Sequence, residues 1–260
     1  MSEFKQKKSL GQHFLTDKNI VAKIAKLAEI EKDEPVWEIG PGKGILTTEL
    51  LAYNCQLTCF ELDRTLFPIL EEKFGKKINL VKQDILKADW QQYFAKQKLK
   101  IVANLPYQIT SPFLFKVAQF SQQFSLVVVM IQKEVAKRIQ AGAGSKDYGP
   151  LSLKMQYYFE PKYQFTVKPH VFVPPPKVDS AVISLKPREN RPELEDEKFF
   201  WRVVETAFGQ RRKMLRRNLR QLTSQENLFK IQNNPIDLRR RGETLSEAEF
   251  IQLYKALKSL

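Results

Sequence analysis

Cysteine and histidine are scarce: 260 residues contain two of each, Cys55 and Cys59, His13 and His170. So few donors cannot be assembled into a zinc-binding spacing, and no metal site is expected. The two cysteines stand four apart in a segment that reads as a strand, so they share a face and act as small buried hydrophobes. Long apolar runs are missing as well. The longest, residues 126–131, is strand-sized and far too short to cross a membrane. The opening Met-Ser-Glu-Phe-Lys-Gln-Lys-Lys has no apolar core of a signal peptide, so a cytosolic location is expected. Internal repeats and low-complexity tracts are absent. Acidic residues are outnumbered, 29 against 43 Lys and Arg, which leaves a net charge of +14. Such an excess calls for a polyanionic partner, and without a membrane segment nucleic acid is the favoured one. At 43% hydrophobic residues the chain is globular, with length for one sizeable core and a second small domain.

Glycine is also sparse, ten in all, yet three stand at alternate positions in residues 36–46, Val-Trp-Glu-Ile-Gly-Pro-Gly-Lys-Gly-Ile-Leu. An apolar run carrying Glu38 breaks at Gly40, Gly42 and Gly44 and continues with helical spacing, a strand, a tight turn and a helix start. Side chains there would block both the turn and the approach of backbone N–H groups to a ligand. The dinucleotide fingerprint needs a third glycine at position 45, which is Ile, so a dehydrogenase is the weakest candidate. An acid before G-x-G-x-G suits S-adenosylmethionine, which has a ribose and an adenine but no pyrophosphate.

The chain around this turn alternates strand and helix. An amphipathic helix spans 19–30, capped by Asp17, with Ile20, Ile24, Leu27 and Ala28 on one face. A helix over 45–52 leads to a strand over 56–63 that ends in acids; among them Glu61 lies 21 residues past Gly40, where a carboxylate in a nucleotide fold accepts from ribose hydroxyls. A third strand, 78–81, runs to Asp84, placed to accept from the adenine amine of the cofactor. The fourth, 99–103, runs into Asn104-Leu105-Pro106-Tyr107. The exocyclic amine of adenine is a poor nucleophile because its lone pair is delocalised into the ring. An Asn oxygen and a neighbouring backbone carbonyl accept its two N–H bonds and orient the lone pair; Pro106 aims the carbonyls, and Tyr107 offers a stacking face. No strong base is required.

Helices follow over 111–120, 133–140 and 150–159, with a buried strand at 126–131 and a Gly-rich loop at 142–149. The corner Val171-Phe172-Val173-Pro174-Pro175-Pro176-Lys177, flanked by two strands with the second over 178–185, holds Phe172 for the opposite face of the target base. A polar linker with proline at either end, 186–192, introduces a helical region with a long helix within 197–222, a shorter one near Leu228 and a final one opened by a capping box, Ser246 with Glu249. Arg211, Arg212, Lys213, Arg216, Arg217 and Arg220 stand on the long helix with no acid among them, which points to phosphate contact. The expected division is a methyltransferase domain over 1–186 and a helical RNA-binding domain over 187–260.

Taken together, Leu10-Gly-Gln-His-Phe-Leu15, Glu38-Ile-Gly-Pro-Gly-Lys-Gly44, Glu61-Leu-Asp63, Gln83-Asp84, Asn104-Leu-Pro-Tyr107, Phe172-Val-Pro-Pro-Pro-Lys-Val-Asp-Ser-Ala181 and Ala207-Phe-Gly-Gln-Arg-Arg-Lys213 resemble the small-subunit ribosomal RNA adenine dimethyltransferases. That resemblance implies an α/β fold, a Rossmann-like seven-stranded, mainly parallel methyltransferase sheet with a small helical domain. It implies dimethylation of two adjacent adenosines near the 3′ end of the small-subunit RNA, late in subunit assembly; separately, a monomer is expected. It also implies a methyl-donor site at His13, Leu15, Gly40, Gly42, Glu61, Asp84 and Asn104, with Asn104 to Tyr107 and Phe172 around the base. One departure is His13, where relatives more often carry Asn; both hydrogen-bond, but an imidazole titrates near neutrality, so the donor-site role of His13 is expected to depend on pH. The antibiotic-resistance methylases of large-subunit RNA share the cofactor loop and the Asn-x-Pro-Tyr segment; the Phe208-Gly-Gln-Arg-Arg-Lys tail favours the small-subunit enzymes. A non-catalytic assembly or transcription factor on the same fold is opposed by the intact Asn104 to Tyr107 segment.

Overall fold

A computed structural model describes residues 12–231 and 235–260. Leu10, Gly11 and the polar opening segment lie outside the described residues. The chain opens with a short strand β1 (Phe14–Leu15) and helix α1 (Lys18–Leu27), whose N-cap Asp17 accepts from the N–H groups of Asn19 and Ile20. This helix stops three residues short of expectation, because Glu29 adopts a left-handed φ of 49°.

Alternation then runs through β2 (Pro35–Ile39), α2 (Ile45–Leu51), β3 (Gln56–Phe60), α3 (Phe67–Phe74), β4 (Ile78–Val81), β5 (Leu99–Asn104), α4 (Thr110–Gln119), β6 (Phe124–Gln132), α5 (Lys133–Gln140) and α6 (Pro150–Tyr158). Strands β7 (Phe159–Val167), β8 (Phe172–Val173) and β9 (Ser180–Pro187) follow. Seven strands form one sheet in the order β4-β3-β2-β5-β6-β9-β7. Its first five members pair in parallel, while β9 runs antiparallel to both β6 and β7. The strand order reverses between β2 and β5, the switch point where open α/β sheets leave a crevice at the carboxyl ends of their strands. The neighbouring strands β2, β5 and β6 are buried on both faces, as a sheet covered by helices requires.

One face of the sheet carries an aromatic cluster in which Trp37 stacks on Phe94 at 5.4 Å and meets Trp90 edge-on at 5.5 Å. The opposite face carries Val36, Leu57 and Cys59 against Ile24, Leu46 and Leu50 from α1 and α2. Each such large apolar side chain contributes about 1.5–3 kcal/mol by burial. Cys59 is buried in β3, and Cys55, which precedes that strand and is only partly buried, packs against the same core, so the two share a side but not a depth. The expected helix over 150–159 ends at Tyr158, and Phe159 instead begins the nine-residue edge strand β7. Phe172 and Val173 do not extend the large sheet; β8 pairs with β1, Phe14 opposite Val173 and Leu15 opposite Phe172.

Two compact units emerge. The first comprises the described part of Met1–Ala136 with Tyr158–Arg188, the second Lys137–Tyr157 with Glu189–Leu260. The division therefore departs from a single break after residue 186, because residues 137–157 are held by the C-terminal region. There the Gly144 N–H donates to the Glu243 carbonyl at 2.7 Å, the Tyr157 hydroxyl donates to the Pro192 carbonyl at 2.6 Å, and Tyr148 packs on Phe208.

The second unit also contains α7 (Glu197–Phe208), α8 (Leu215–Asn218), α9 (Gln225–Lys230) and α10 (Glu247–Lys258). The long helix expected within 197–222 is two helices. Buried Asn218 donates from its amide nitrogen to the carbonyls of Ala207 and Gln210, at 2.8 and 3.2 Å, and so caps the end of α7 from the following helix. Gly242 completes the corner: a Cβ there would stand 2.6 Å from the Ala207 carbonyl oxygen. Helix α10 begins as expected, with reciprocal capping between Ser246 and Glu249.

Candidate active site

The turn after β2 is built by its glycines. Gly40, Gly42 and Gly44 all have positive φ, 67°, 59° and 76°. Gly44 admits no side chain at all, since its Cβ would fall 2.3 Å from the ring of Phe74. A Cβ on Gly42 would meet Phe14 at 2.9 Å, so the turn and β1 approach each other only because position 42 is bare.

Beside this turn lies a cavity of about 430 Å³. Its walls come from β1, from the end of β2 and its turn, from Glu61 after β3, from Asn104 to Tyr107 after β5, and from Phe172 and Val173. Of the predicted donor-site residues, His13, Leu15, Gly40, Gly42, Glu61 and Asn104 converge here, together with the predicted base-site residues Leu105, Pro106, Tyr107 and Phe172. Asp84 does not line the cavity; its carboxylate accepts from the Leu86 N–H at 2.9 Å and shapes the turn after β4. That turn is pinned to α4 by Lys116, whose ammonium donates to the carbonyls of Ile85, Leu86 and Ala88. Phe172 is 2% exposed, so its ring is wall rather than lip.

Two carboxylates are buried in the cavity wall. Glu61 accepts from the Gly42 N–H at 3.2 Å through one oxygen and from Leu62 and Asp63 N–H at 2.9 and 2.8 Å through the other. Burial raises its pKa, opposed by those N–H donors. Glu38, which is absent from the predicted site, accepts from the Thr47 hydroxyl at 2.6 Å and from the Cys59 thiol at 3.6 Å. Burial pushes its pKa up to about 7. An acid in an otherwise apolar central strand is the signal that marks it in the sequence. Two buried acids facing one cavity suit a ligand with positive charge and hydroxyl donors, as the sulfonium, ammonium and ribose of S-adenosylmethionine are, and the bare glycine cradle fits the close approach of such a ligand.

The turn after β5 is locked from three directions. The Asn104 amide nitrogen donates to the His13 carbonyl at 3.3 Å, which turns its oxygen the other way. The Leu105 N–H donates to the Met130 carbonyl at 3.1 Å. The Tyr107 hydroxyl and the Ser180 hydroxyl are 2.6 Å apart, and burial raises the pKa of the phenol, which stays neutral. The ring of His13 lies 5.6 Å from that of Tyr107, and its Nδ1 donates to the Pro174 carbonyl at 2.7 Å. A carbonyl only accepts, so Nδ1 is the protonated nitrogen.

In the second unit the cationic run is not uniform. Arg211 is paired: its guanidinium donates to Glu243 at 3.0 Å and to the Lys146 carbonyl at 2.8 Å. The run therefore does have a compensating carboxylate, supplied by a residue 32 positions on. Arg212, Lys213, Arg216, Arg217 and Arg220 are exposed, distributed over a turn, the short helix α8 and the segment after it rather than along one helix.

Comparison with known proteins agrees with this architecture. The family described as "Ribosomal RNA adenine dimethylase" matches residues 3–259. The "Ribosomal RNA small subunit methyltransferase A" of Geobacillus sp. (strain WCH70) is 43% identical over 269 aligned positions, covering 98% of this chain and 92% of that protein. Among solved structures, a dimethyladenosine transferase from Plasmodium falciparum superposes with a TM-score of 0.79 at 24% identity, covering 95% of this chain and 98% of the other, a likeness of fold. The 23S rRNA methyltransferase ErmE superposes with a TM-score of 0.68 at 27% identity, covering 94% and 99%. With a match running almost from end to end and a cavity at the carboxyl ends of the parallel strands, the chain belongs to the ribosomal RNA adenine dimethylase family.

Proposed function

We propose that this protein dimethylates the exocyclic amino groups of two adjacent adenosines near the 3′ end of small-subunit ribosomal RNA, using S-adenosylmethionine, late in small-subunit assembly. The observation that carries the adenine chemistry is the orientation of Asn104. Its amide nitrogen is committed to the His13 carbonyl, so the Asn104 oxygen is the acceptor offered to an amine. That oxygen and a backbone carbonyl of the same turn hold the two N–H bonds of adenine and direct the nitrogen lone pair. Tyr107, held through its hydroxyl by Ser180, presents a ring face to the flipped base, and Phe172 closes the wall opposite.

S-adenosylmethionine supplies an electrophilic methyl group on a cationic sulfur. Glu61 would accept from its ribose hydroxyls, Gly40 and Gly42 would allow close backbone approach, and His13 and Leu15 would bound the site from β1. Asp84 serves the site indirectly, by shaping the turn that Lys116 anchors. Positioning carries the step, and the proton released from the amine needs no strong base. Exposed Arg212, Lys213, Arg216, Arg217 and Arg220 contact RNA phosphates, with Arg211 bracing them. The partner is the small ribosomal subunit, met by a cytoplasmic monomer; no helix among the described residues is long and apolar enough to cross a membrane.

The likeness to a 23S rRNA methyltransferase sustains a second reading, methylation of large-subunit RNA. Both are tested by methyl transfer from labelled S-adenosylmethionine to small subunits lacking the modification, with large-subunit RNA alongside, followed by mass spectrometry of the nucleosides. Dimethyladenosine confined to small-subunit RNA is the expected result. Methylation of large-subunit RNA would install the second reading, and subunit binding without transfer would leave an assembly factor.

A further inference from the structure

Directly beside the residue that holds Tyr107 stands a charge cluster to which the methylation reading assigns no role. The Asp179 carboxylate receives two ammoniums on the same oxygen, Lys133 at 3.1 Å and Lys168 at 3.0 Å. These lysines come from different elements, the start of α5 and the loop after β7, while Asp179 precedes β9. The Lys133 N–H also donates to the Asp179 carbonyl at 3.0 Å, which fixes the pair of residues against each other. Two cations share one anion, so the cluster keeps an uncompensated positive charge, and the lysine pairs hold Asp179 in its charged form below the usual carboxylate range. Because both nitrogens bond one oxygen, they lie within about 6 Å of each other, a gap that two oxygens of a single phosphate bridge by charge-assisted hydrogen bonds.

The next residue is Ser180, fully buried, with its hydroxyl 2.6 Å from the Tyr107 hydroxyl. Several sequence neighbours of the cluster are exposed, among them the acid Glu134, which follows Lys133. Lys177 is exposed, as are Val173 and Val178, at 53% and 47%, two of the large hydrophobics that this first unit leaves in solvent. The link between the base site and the lysines is the chain itself: Asp179, which gathers them, is followed directly by Ser180, which holds the Tyr107 hydroxyl.

We propose that Lys133 and Lys168, gathered by Asp179, form a seat for a backbone phosphate flanking the target adenosine. The seat belongs to the first unit, whereas the exposed arginines belong to the second. It rests on the reading that the substrate is RNA with its base on Tyr107. Its task is register: one phosphate fixed beside Ser180 sets which nucleotide reaches Asn104. Asp179 acts as the template that keeps two like charges together before RNA arrives, which lowers the rotamer freedom lost on binding.

The test measures binding of the full-length protein to a small-subunit RNA fragment carrying the two target adenosines, as a function of salt. Wild type is compared with Lys133→Gln combined with Lys168→Gln, and with the charge-retaining Lys133→Arg combined with Lys168→Arg. The Gln variant is expected to bind several-fold more weakly, with a salt slope shallower by about 0.7, the value of one phosphate on a single strand. The Arg variant keeps the slope. RNA with methylphosphonates flanking the target weakens wild-type binding and leaves the Gln variant indifferent, as two changes to one contact must. Cofactor affinity, read by calorimetry, is the same in all three proteins. An unchanged slope, equal sensitivity of wild type and variant to the methylphosphonates, or a parallel loss of cofactor affinity overturns the seat. Methyl transfer by wild type to the same RNA is read alongside: transfer with an unchanged slope removes the seat alone, whereas no transfer to any adenosine removes the functional reading beneath it.

Discussion

Asn104 and His13, 91 positions apart, are joined by a hydrogen bond from the amide nitrogen of the first to the backbone carbonyl of the second, 3.3 Å long. The bond ties the turn after β5 to the residue just before β1 and leaves the amide oxygen, not its nitrogen, to act as an acceptor. Asn104→Ala removes the acceptor and the bond to the His13 carbonyl, while Leu105 stays tied to Met130 and Tyr107 to Ser180. Turnover should fall by a factor of roughly 10² or more while calorimetric affinity for the methyl donor stays nearly unchanged. Near-normal turnover would sink the role of the amide oxygen.

Glu61 is both a candidate ribose acceptor and a strut. It binds the N–H of Gly42 through one oxygen and those of Leu62 and Asp63 through the other. Glu61→Ala leaves three N–H groups without that acceptor and should weaken methyl-donor binding by at least about tenfold, with a loss of about 1–3 kcal/mol of stability. Glu61→Gln should also weaken binding, because its NH₂ must face one of the N–H donors. Donor affinity unchanged in both variants, by calorimetry, would remove Glu61 from the site.

Glu38 makes stability depend on pH. Its carboxyl, ordinarily at 4.5, is pushed up to about 7 by burial. Between these values the folded protein holds a proton that the unfolded chain has lost. The associated stability is therefore complete below pH 4.5 and is lost as pH rises through 7, a total of about 3 kcal/mol. Glu38→Gln, which keeps an acceptor for Thr47 and never ionises, should match wild type near the acidic end of that window and exceed it in urea unfolding above neutrality. Parallel pH curves for the two proteins would contradict this assignment.

The basic run separates into one braced residue and a free set. Arg211→Gln breaks the contacts with Glu243 and the Lys146 carbonyl and should lower the melting temperature of the second unit, with little effect on the salt slope of RNA binding. Arg212→Glu with Arg217→Glu, both exposed, should do the reverse, lowering affinity and flattening the slope while the melting temperature holds. If the slope is unmoved, these cations are a solvated surface.

Much of the fold and site was legible in local sequence, for physical reasons that act over a few residues. Gly40, Gly42 and Gly44 mark the turn because only glycine takes three nearby positive φ values cheaply, and Ser246 with Glu249 marks a helix start because the cap is self-contained. The parallel alternation followed from hydrophobic period and length, whereas the strand read over 56–63 stops at Phe60, so that Glu61 lies just beyond it. Other features depend on partners far along the chain. Gly209 is a local stop signal after Phe208, but the break is held by Asn218 capping α7 and by Gly242 pressing on Ala207, both supplied from farther along the chain. The charge on Arg211 is answered from residue 243, and residues 137–157 join the C-terminal unit through bonds to positions such as Pro192 and Glu243. Pairing of β8 with β1 rather than with the large sheet, and the burial that raises the Glu38 carboxyl toward neutrality, likewise arise only when distant segments meet. Sequence alone marked most of the side chains that line the cavity, through local backbone demands and the chemistry of each residue type, but left out Glu38 and placed Asp84 there. Tertiary structure decided which of their atoms remain free to act, because hydrogen bonds between distant residues settle that.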